Sequence, residues 1–382
     1  MNESVLSFKD KYFGDKNFYK MTLTIAIPII IQNLLTNLVS MADNIMVGQL
    51  GTNQMSGVAI INQLFFVFNL LVFGGMSGAG LFSAQYFGQK NHNGVRDVFR
   101  MKILIGITII AISLSVMIFL HEPLINMFLH EGSSSGNIQE TFNYAKNYLY
   151  IMVIGIAPFV ISNCYNTTLK ESGQTVVPMK AGVLAVVFDI VLNYIFIFGK
   201  LGFPAMGVVG AAIATVISRF VECGYLVIYT HIHSNDYPFI KHCYRTLKVP
   251  GSLVKKIIIT GAPLMLNEFL WAGGLTLQTQ ALSTRGLATV GGLNICNTIG
   301  NISNCIFVTM GTTIAIVVGQ LLGAGKLKEA KLTATRMAAF SLLISFGMII
   351  ILGLLGPVFP HFYNTTDEIR ELATKFIWAV AA

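Results

Sequence analysis

A chain of 382 residues that is 54% hydrophobic and 11% charged, with a mean hydropathy of +0.68, is far more apolar than an ordinary globular domain. Repeated runs of about 20 apolar residues exclude a soluble helical protein, and the lack of ten-residue alternation excludes a β-barrel, which leaves an all-α integral membrane protein. The net charge of +8 does not mark a nucleic-acid binder, because the basic residues sit in short loops and form no stripe interleaved with aromatics.

Residues 1–20 carry Lys9, Lys11, Lys16 and Lys20 ahead of a first span at about 21–47. That run is too long for the apolar part of a cleavable signal, so the first span is its own insertion signal. Further spans are predicted at about 57–86, 98–120, 140–168, 177–198 and 207–232. After a polar stretch at 233–252 come spans at about 254–284, 289–321 and 333–356, and a tenth begins near Glu368. Glycine-, proline- and asparagine-rich joints such as Gly48 to Gly57 and Gly199 to Pro204 separate them. Cys164, Cys223, Cys296 and Cys305 lie in spans and Cys243 in a polar loop, with no ligand spacing, and read as small buried hydrophobes.

The chain is written twice. An offset of 235 carries Pro28 onto Pro263, Leu35 onto Leu270, Gly51 onto Gly286, Gly57 onto Gly292, Asn62 onto Asn297, Asn69 onto Asn304, Gln85 onto Gln320 and Gly88 onto Gly323 without a gap. Asp43 faces Gln278, so only the first copy has an acid there. Nineteen of the twenty-five Lys and Arg fall in alternate loops on one side, which predicts a cytoplasmic N-terminus and a cytoplasmic linker at 233–252. Six spans separate the copies, so both enter the membrane from the same side as parallel repeats. The expected architecture is two parallel six-helix bundles: 1–232, then the linker, then 253–382. The segment from Glu140 resembles the segment from Glu368, so the second bundle is expected to stop at Ala382 after about three and a half of its six helices, twelve being the complete number.

Of seventeen acids, Asp43, Asp189, Glu222 and Glu268 fall inside the predicted spans, where a charge is costly and marks a candidate functional site. At about 1.5 Å per residue, Asp43, Asn193, Thr215 and Asp189 occupy the outer half of the first bundle at similar depth, five, six, eight and ten residues from the bounding glycines. Asp189 and Asn193 stand one turn apart on one helix face. Two carboxylates, an amide and a hydroxyl suit a hard cation or a shared proton; the competing reading is a set of interhelical hydrogen bonds. Glu268, at the position matching Asn33, is a second coupling or substrate-charge site or a packing residue. Glu222 is expected to be neutralised by Arg219 three residues away. No nucleotide-binding, hydrolase or metalloenzyme signature is present, so no enzyme activity and no cofactor are expected.

The run Ala42-Asp43-Asn-Ile-Met-Val-Gly48-Gln-Leu-Gly51, the pair Asn193-Tyr-Ile-Phe-Ile-Phe-Gly199 and Gly207-Val-Val-Gly-Ala-Ala-Ile-Ala-Thr215, and Asn267-Glu268-Phe-Leu-Trp271 together resemble the multidrug and toxic compound extrusion (MATE) family, in its branch with an acid in the first helix. The resemblance implies secondary active antiport in a plasma membrane, exporting cationic or amphiphilic organic compounds in exchange for sodium or protons. Its partners would be those small molecules and membrane lipids, with no nucleic acid and no obligate protein partner. It implies a cation site of Asp43, Asp189, Asn193 and Thr215, and likens Glu268 to the family's seventh-helix acid. Here the order on the fifth helix is Asp189-x-x-x-Asn193, whereas the branch has Asn-x-x-x-Asp, which leaves the choice of ion open, and the chain ends before the acid some members place on the tenth helix. A flippase for a lipid-linked precursor, which would need a strongly basic cavity, and a passive channel are the rival readings.

Overall fold

The structure, a computed structural model, describes residues 8–129, 137–283, 285, 287–363 and 365–381; Gly286, the repeat partner of Gly51, and Ala382 lie outside them. Among the described residues every regular element is a helix: α1 (Phe8–Tyr12), α2 (Lys16–Gly48), α3 (Thr52–Gly88), α4 (His92–Phe119), α5 (His121–Asn126), α6 (Ile138–Met152), α7 (Ile156–Glu171), α8 (Val176–Phe198), α9 (Val208–Ile232), α10 (Gly251–Ser283), α11 (Leu287–Gly323), α12 (Leu327–Leu355) and α13 (Asp367–Ala381). Helices satisfy every backbone group within one segment, which lipid cannot do for them. Eight described helical stretches are long and apolar enough to cross a membrane, and α10, with 33 residues, has the length as well.

The predicted fourth span is two helices. A 3-10 turn at Val153–Gly155 separates α6 from α7, and Pro158 just beyond it cannot donate a backbone hydrogen bond to the turn before it. Pro28 and Pro263 are carried inside α2 and α10, which continue through them with one backbone bond fewer each.

The described chain packs as two compact units, residues 31–265 and residues up to Ile30 together with Leu266 onward. The chain therefore changes unit between 30 and 31 and again between 265 and 266, two residues after each proline and at the same 235-residue offset as the repeat. The sequence reading divides the chain at the linker instead; one division follows contact and the other repetition.

Within residues 31–265 a core of Phe65, Phe68, Met76, Phe99, Leu149, Ile156, Tyr165 and Leu226 is fully enclosed. The linker after α9 folds back on α4 through two 3-10 turns, Pro238–Ile240 and Cys243–Arg245. Arg100 donates to the carbonyls of Cys243 at 2.9 Å and His242 at 3.0 Å, and Arg96 to those of Phe239 and Pro238 at 3.4 Å each. In the other unit Phe18, Ile25 and Ile29 of α2 pack with Ile316, Val317 and Met337.

Repetition in sequence returns as repetition in packing. A Cβ at Gly57 on α3 would come within 2.9 Å of the Ala145 nitrogen on α6, and one at Gly292 on α11 within 3.1 Å of the Ala373 nitrogen on α13. Ala145 and Ala373 are both fully buried and occupy matching places after Glu140 and Glu368. Small residues at helix crossings let backbones approach closely, which is how helices associate in a solvent as apolar as their own side chains.

Candidate ion and substrate site

The hairpin of α8 and α9 sets the site. Gly199 ends α8 in the left-handed region at φ 66°, where a Cβ would lie 2.5 Å from the Ala205 nitrogen, so only glycine turns the chain here without strain. The chain then returns along α8, with Met206 donating to the Phe196 carbonyl at 2.9 Å. Gly210 on α9 lies against the Phe196 backbone, which a Cβ would approach to 2.7 Å. This close approach brings the Thr215 to Arg219 turn of α9 against Asp189 of α8.

One buried amide joins two helices. Asn193 Nδ2 donates to Asp43 Oδ1 on α2 at 2.7 Å and to Asp189 Oδ2 on its own helix at 3.0 Å. Asp189 and Asn193 are 3% and 0% exposed, so the second carboxylate is sealed from solvent. Ser218 Oγ lies 3.0 Å from Asp189 Oδ1 and 2.8 Å from the Thr215 carbonyl, sharing its one proton between them. Both amide hydrogens are thereby spent on carboxylates, while Asn193 Oδ1 is buried without a partner among the described residues. An orphaned acceptor costs about 1–3 kcal/mol in such a place, and it is an oxygen that a cation could take up.

Asp43 and Thr215 line a cavity of about 330 Å³ together with Tyr148, Asn62, Asn69 and Arg219. That volume is in the range of small-molecule sites. Asp189 and Asn193 are buried in its wall, so Asp43 is the carboxylate open to the cavity and Asp189 the one behind it.

The four residues selected by depth are thus brought into one cluster, and Glu268 is not: it belongs to the other unit, half-buried on α10, with no side-chain hydrogen bond or ion pair among the described residues. No Arg219–Glu222 salt bridge forms among the described residues, although the two charges still act on each other. The Arg219 guanidinium lies over the rings of Phe65 and Phe159, 5.4 Å and 5.0 Å from their centroids, and its Nη1 reaches the Gly155 carbonyl at 3.5 Å. Aromatic faces on two neighbouring helices compete better for it than a carboxylate on its own helix. A further acid also needs adding to those within the spans. Glu171, the last residue of α7, receives Lys102 Nζ at 2.6 Å and 2.8 Å, and Lys102 is fully buried. Ser218 escaped sequence reading, although its place three residues after Thr215 on one helix face is a usable signal.

A family described as MatE matches residues 28–195 and again 263–381, two starts that lie 235 residues apart, as in the internal repeat. The chain is 29% identical over 355 residues to the probable multidrug resistance protein NorM of Thermotoga maritima, covering 93% of this chain and 74% of that protein. It is 27% identical over 365 residues to the protein of the same name in Halalkalibacterium halodurans, covering 94% and 76%. In fold it is similar to the Vibrio cholerae MATE transporter VcmN in its bent form, with a TM-score of 0.83 at 16% identity, covering 95% of this chain and 79% of that one. A MATE structure in complex with MaD3S matches with a TM-score of 0.81 at 21% identity, covering 97% and 79%. With both repeats matched and the spans in place, the chain belongs to the MatE family and is a multi-pass membrane transporter rather than an enzyme.

Proposed function

We propose that the protein exports cationic or amphiphilic organic compounds by antiport, driven by sodium or protons taken up at Asp43, Asp189, Asn193 and Thr215. The observation that carries this reading is the single buried amide bridging Asp43, at the cavity surface, to Asp189, in the wall. Two carboxylates held this close in a poorly solvated place repel each other and lack water, so a cation or proton between them relieves both costs. With only two acids, an amide oxygen and a hydroxyl, the set favours one monovalent charge over a tightly held divalent metal. The relatives named as multidrug resistance proteins support small organic molecules as the exported cargo.

Coupling follows from shared ligands. Taking up an ion changes the charge at Asp43 by one unit and frees the Asn193 amide from one of its two carboxylates, which gives α2 and α8 a reason to repack around the cavity. Ion and exported compound then bind antagonistically, because each stabilises a different arrangement of the same residues. The orientation that serves export places the N-terminus and the linker in the cytoplasm of a plasma membrane, in keeping with the basic residues there.

The test is efflux from proteoliposomes with sodium and proton gradients imposed separately. Asp43→Asn abolishes gradient-driven efflux while the protein still inserts, and Asp189→Asn does nearly as much. Efflux by Asp43→Asn at the unmutated rate would make the cluster interhelical glue and move the coupling elsewhere, with Glu268 as the next residue to change.

A further inference from the structure

Two polar stripes face each other beyond the cation cluster, and the coupling reading leaves them unused. On α9, Ser218 Oγ lies 3.0 Å from Asp189 Oδ1, and Glu222 stands one turn further toward the linker. On α7, Ser162, Asn166 and Lys170 recur every four residues on one face and run toward the last turn of that helix. The two faces meet: Cys223 sits against Ser162, and Glu222 and Lys170 act on each other across the interface. Yet among the described residues Glu222 and Lys170 form neither a side-chain hydrogen bond nor a direct ion pair. Ser162 Oγ and Asn166 Oδ1 are buried without partners there. Buried polar atoms left over by the protein are satisfied by water, and charges that act on each other without touching leave room for it. The charged groups that face Glu222 are Lys170 on α7 and Arg219 on its own helix, and Arg219 in turn meets Tyr148 on α6 and Asp189 on α8.

We infer that the seam between α7 and α9 is a hydrated proton path with Glu222 as its relay carboxylate, joining the cation cluster to the end of these helices that the basic residues assign to the cytoplasm. The inference rests on the export reading above and narrows its coupling ion to the proton. Two cations bracket the single acid, so a sodium ion would enter a seam of net positive charge, whereas a proton needs only an acceptor and a chain of water. A proton released from the cluster passes through seam water to a Glu222 oxygen, and the carboxyl then gives its proton to water beside Lys170. The O–H bond made in the first step is the one broken in the second, so Glu222 returns unchanged and no other reactant is consumed.

The test is efflux of ethidium, a fluorescent aromatic cation, from proteoliposomes of the purified full chain, with equilibrium ethidium binding measured in parallel. The wild type should respond to a proton gradient and not to a sodium gradient. Glu222→Gln should slow proton-driven efflux about tenfold or more, as loss of a positioned proton carrier does, while ethidium affinity changes by less than about twofold. Glu222→Asp restores the carboxylate and should recover at least about half of the rate. Ser162→Val fills the seam with methyl groups, should slow proton-driven efflux about tenfold, and decides the matter if Glu222→Gln does not fold. An unchanged proton-driven rate in the deciding variant, a parallel loss of ethidium affinity, or a wild type driven by sodium overturns the inference and leaves the export reading standing. A wild type that exports under neither gradient overturns both.

Discussion

At the scale of single residues, the Lys102–Glu171 pair shows how a membrane helix accommodates full charges. Lys102 is 0% exposed, and its Nζ meets both Glu171 oxygens and the hydroxyls of Thr167 and Thr168, at 2.9 Å and 3.2 Å. Gly80 makes room, because a Cβ there would sit 2.3 Å from Glu171 Oε1. Taking two charges from water costs several kcal/mol, so the pair is stable as a pair and poor when broken. Lys102→Met or Glu171→Gln alone should destabilise the protein by about 3–5 kcal/mol, and the combined Lys102→Met and Glu171→Leu should cost less than either single change. Thermal unfolding in detergent measures this. Single variants as stable as the wild type would show that the charges are hydrated after all.

At the scale of elements, the linker is docked rather than loose. Phe239 and Ile240 are buried, and Arg96 and Arg100 hold the backbone around them to α4. Cys243 is 0% exposed, and burial pushes its thiol up to about 11, only partly offset by Arg100 and Arg96. Since the thiolate is the reactive form, alkylation needs either a pH approaching that value or an undocked linker. A membrane-permeant maleimide at pH about 7.5 should therefore leave Cys243 largely unmodified in the wild type, and Arg100→Ala should raise its labelling rate about tenfold. In the folded wild type the rate should climb with pH toward about 11 and show no plateau near neutrality. Rapid labelling of the wild type at neutral pH would mean that the linker does not stay docked.

At the scale of the whole molecule, the charge pattern predicts orientation. Both the N-terminal basic region and the linker carry clustered Lys and Arg, while the joint between α8 and α9 holds Lys200 alone. With cysteines placed at Asn17, Ser234 and the 82%-exposed Leu201, an impermeant reagent added outside intact cells should label only the position-201 variant. Labelling at 17 or 234 from outside would overturn the predicted cytoplasmic placement of the N-terminus and linker.

The sequence alone determined the helical class and the 235-residue repeat, and it singled out Asp43, Asp189, Asn193 and Thr215 as one set, because hydropathy and charge report position along a span. The direction each helix face points was decided only by tertiary packing. Lipid is as apolar as a protein core, so an intramembrane helix carries little amphipathic stripe to show which side meets a neighbour. Thus the place of Arg219 within the span predicted at 207–232 was legible while its packing against Phe65 and Phe159 was not, since the rings come from α3 and α7. The break at Gly155, the sealing of Asp189 behind Asp43 and the burial of Lys102 against Glu171 belong to the same class. The last two depend on how closely Gly210 lets α9 approach α8 and Gly80 lets α3 approach Glu171 of α7, distances set by contact between helices.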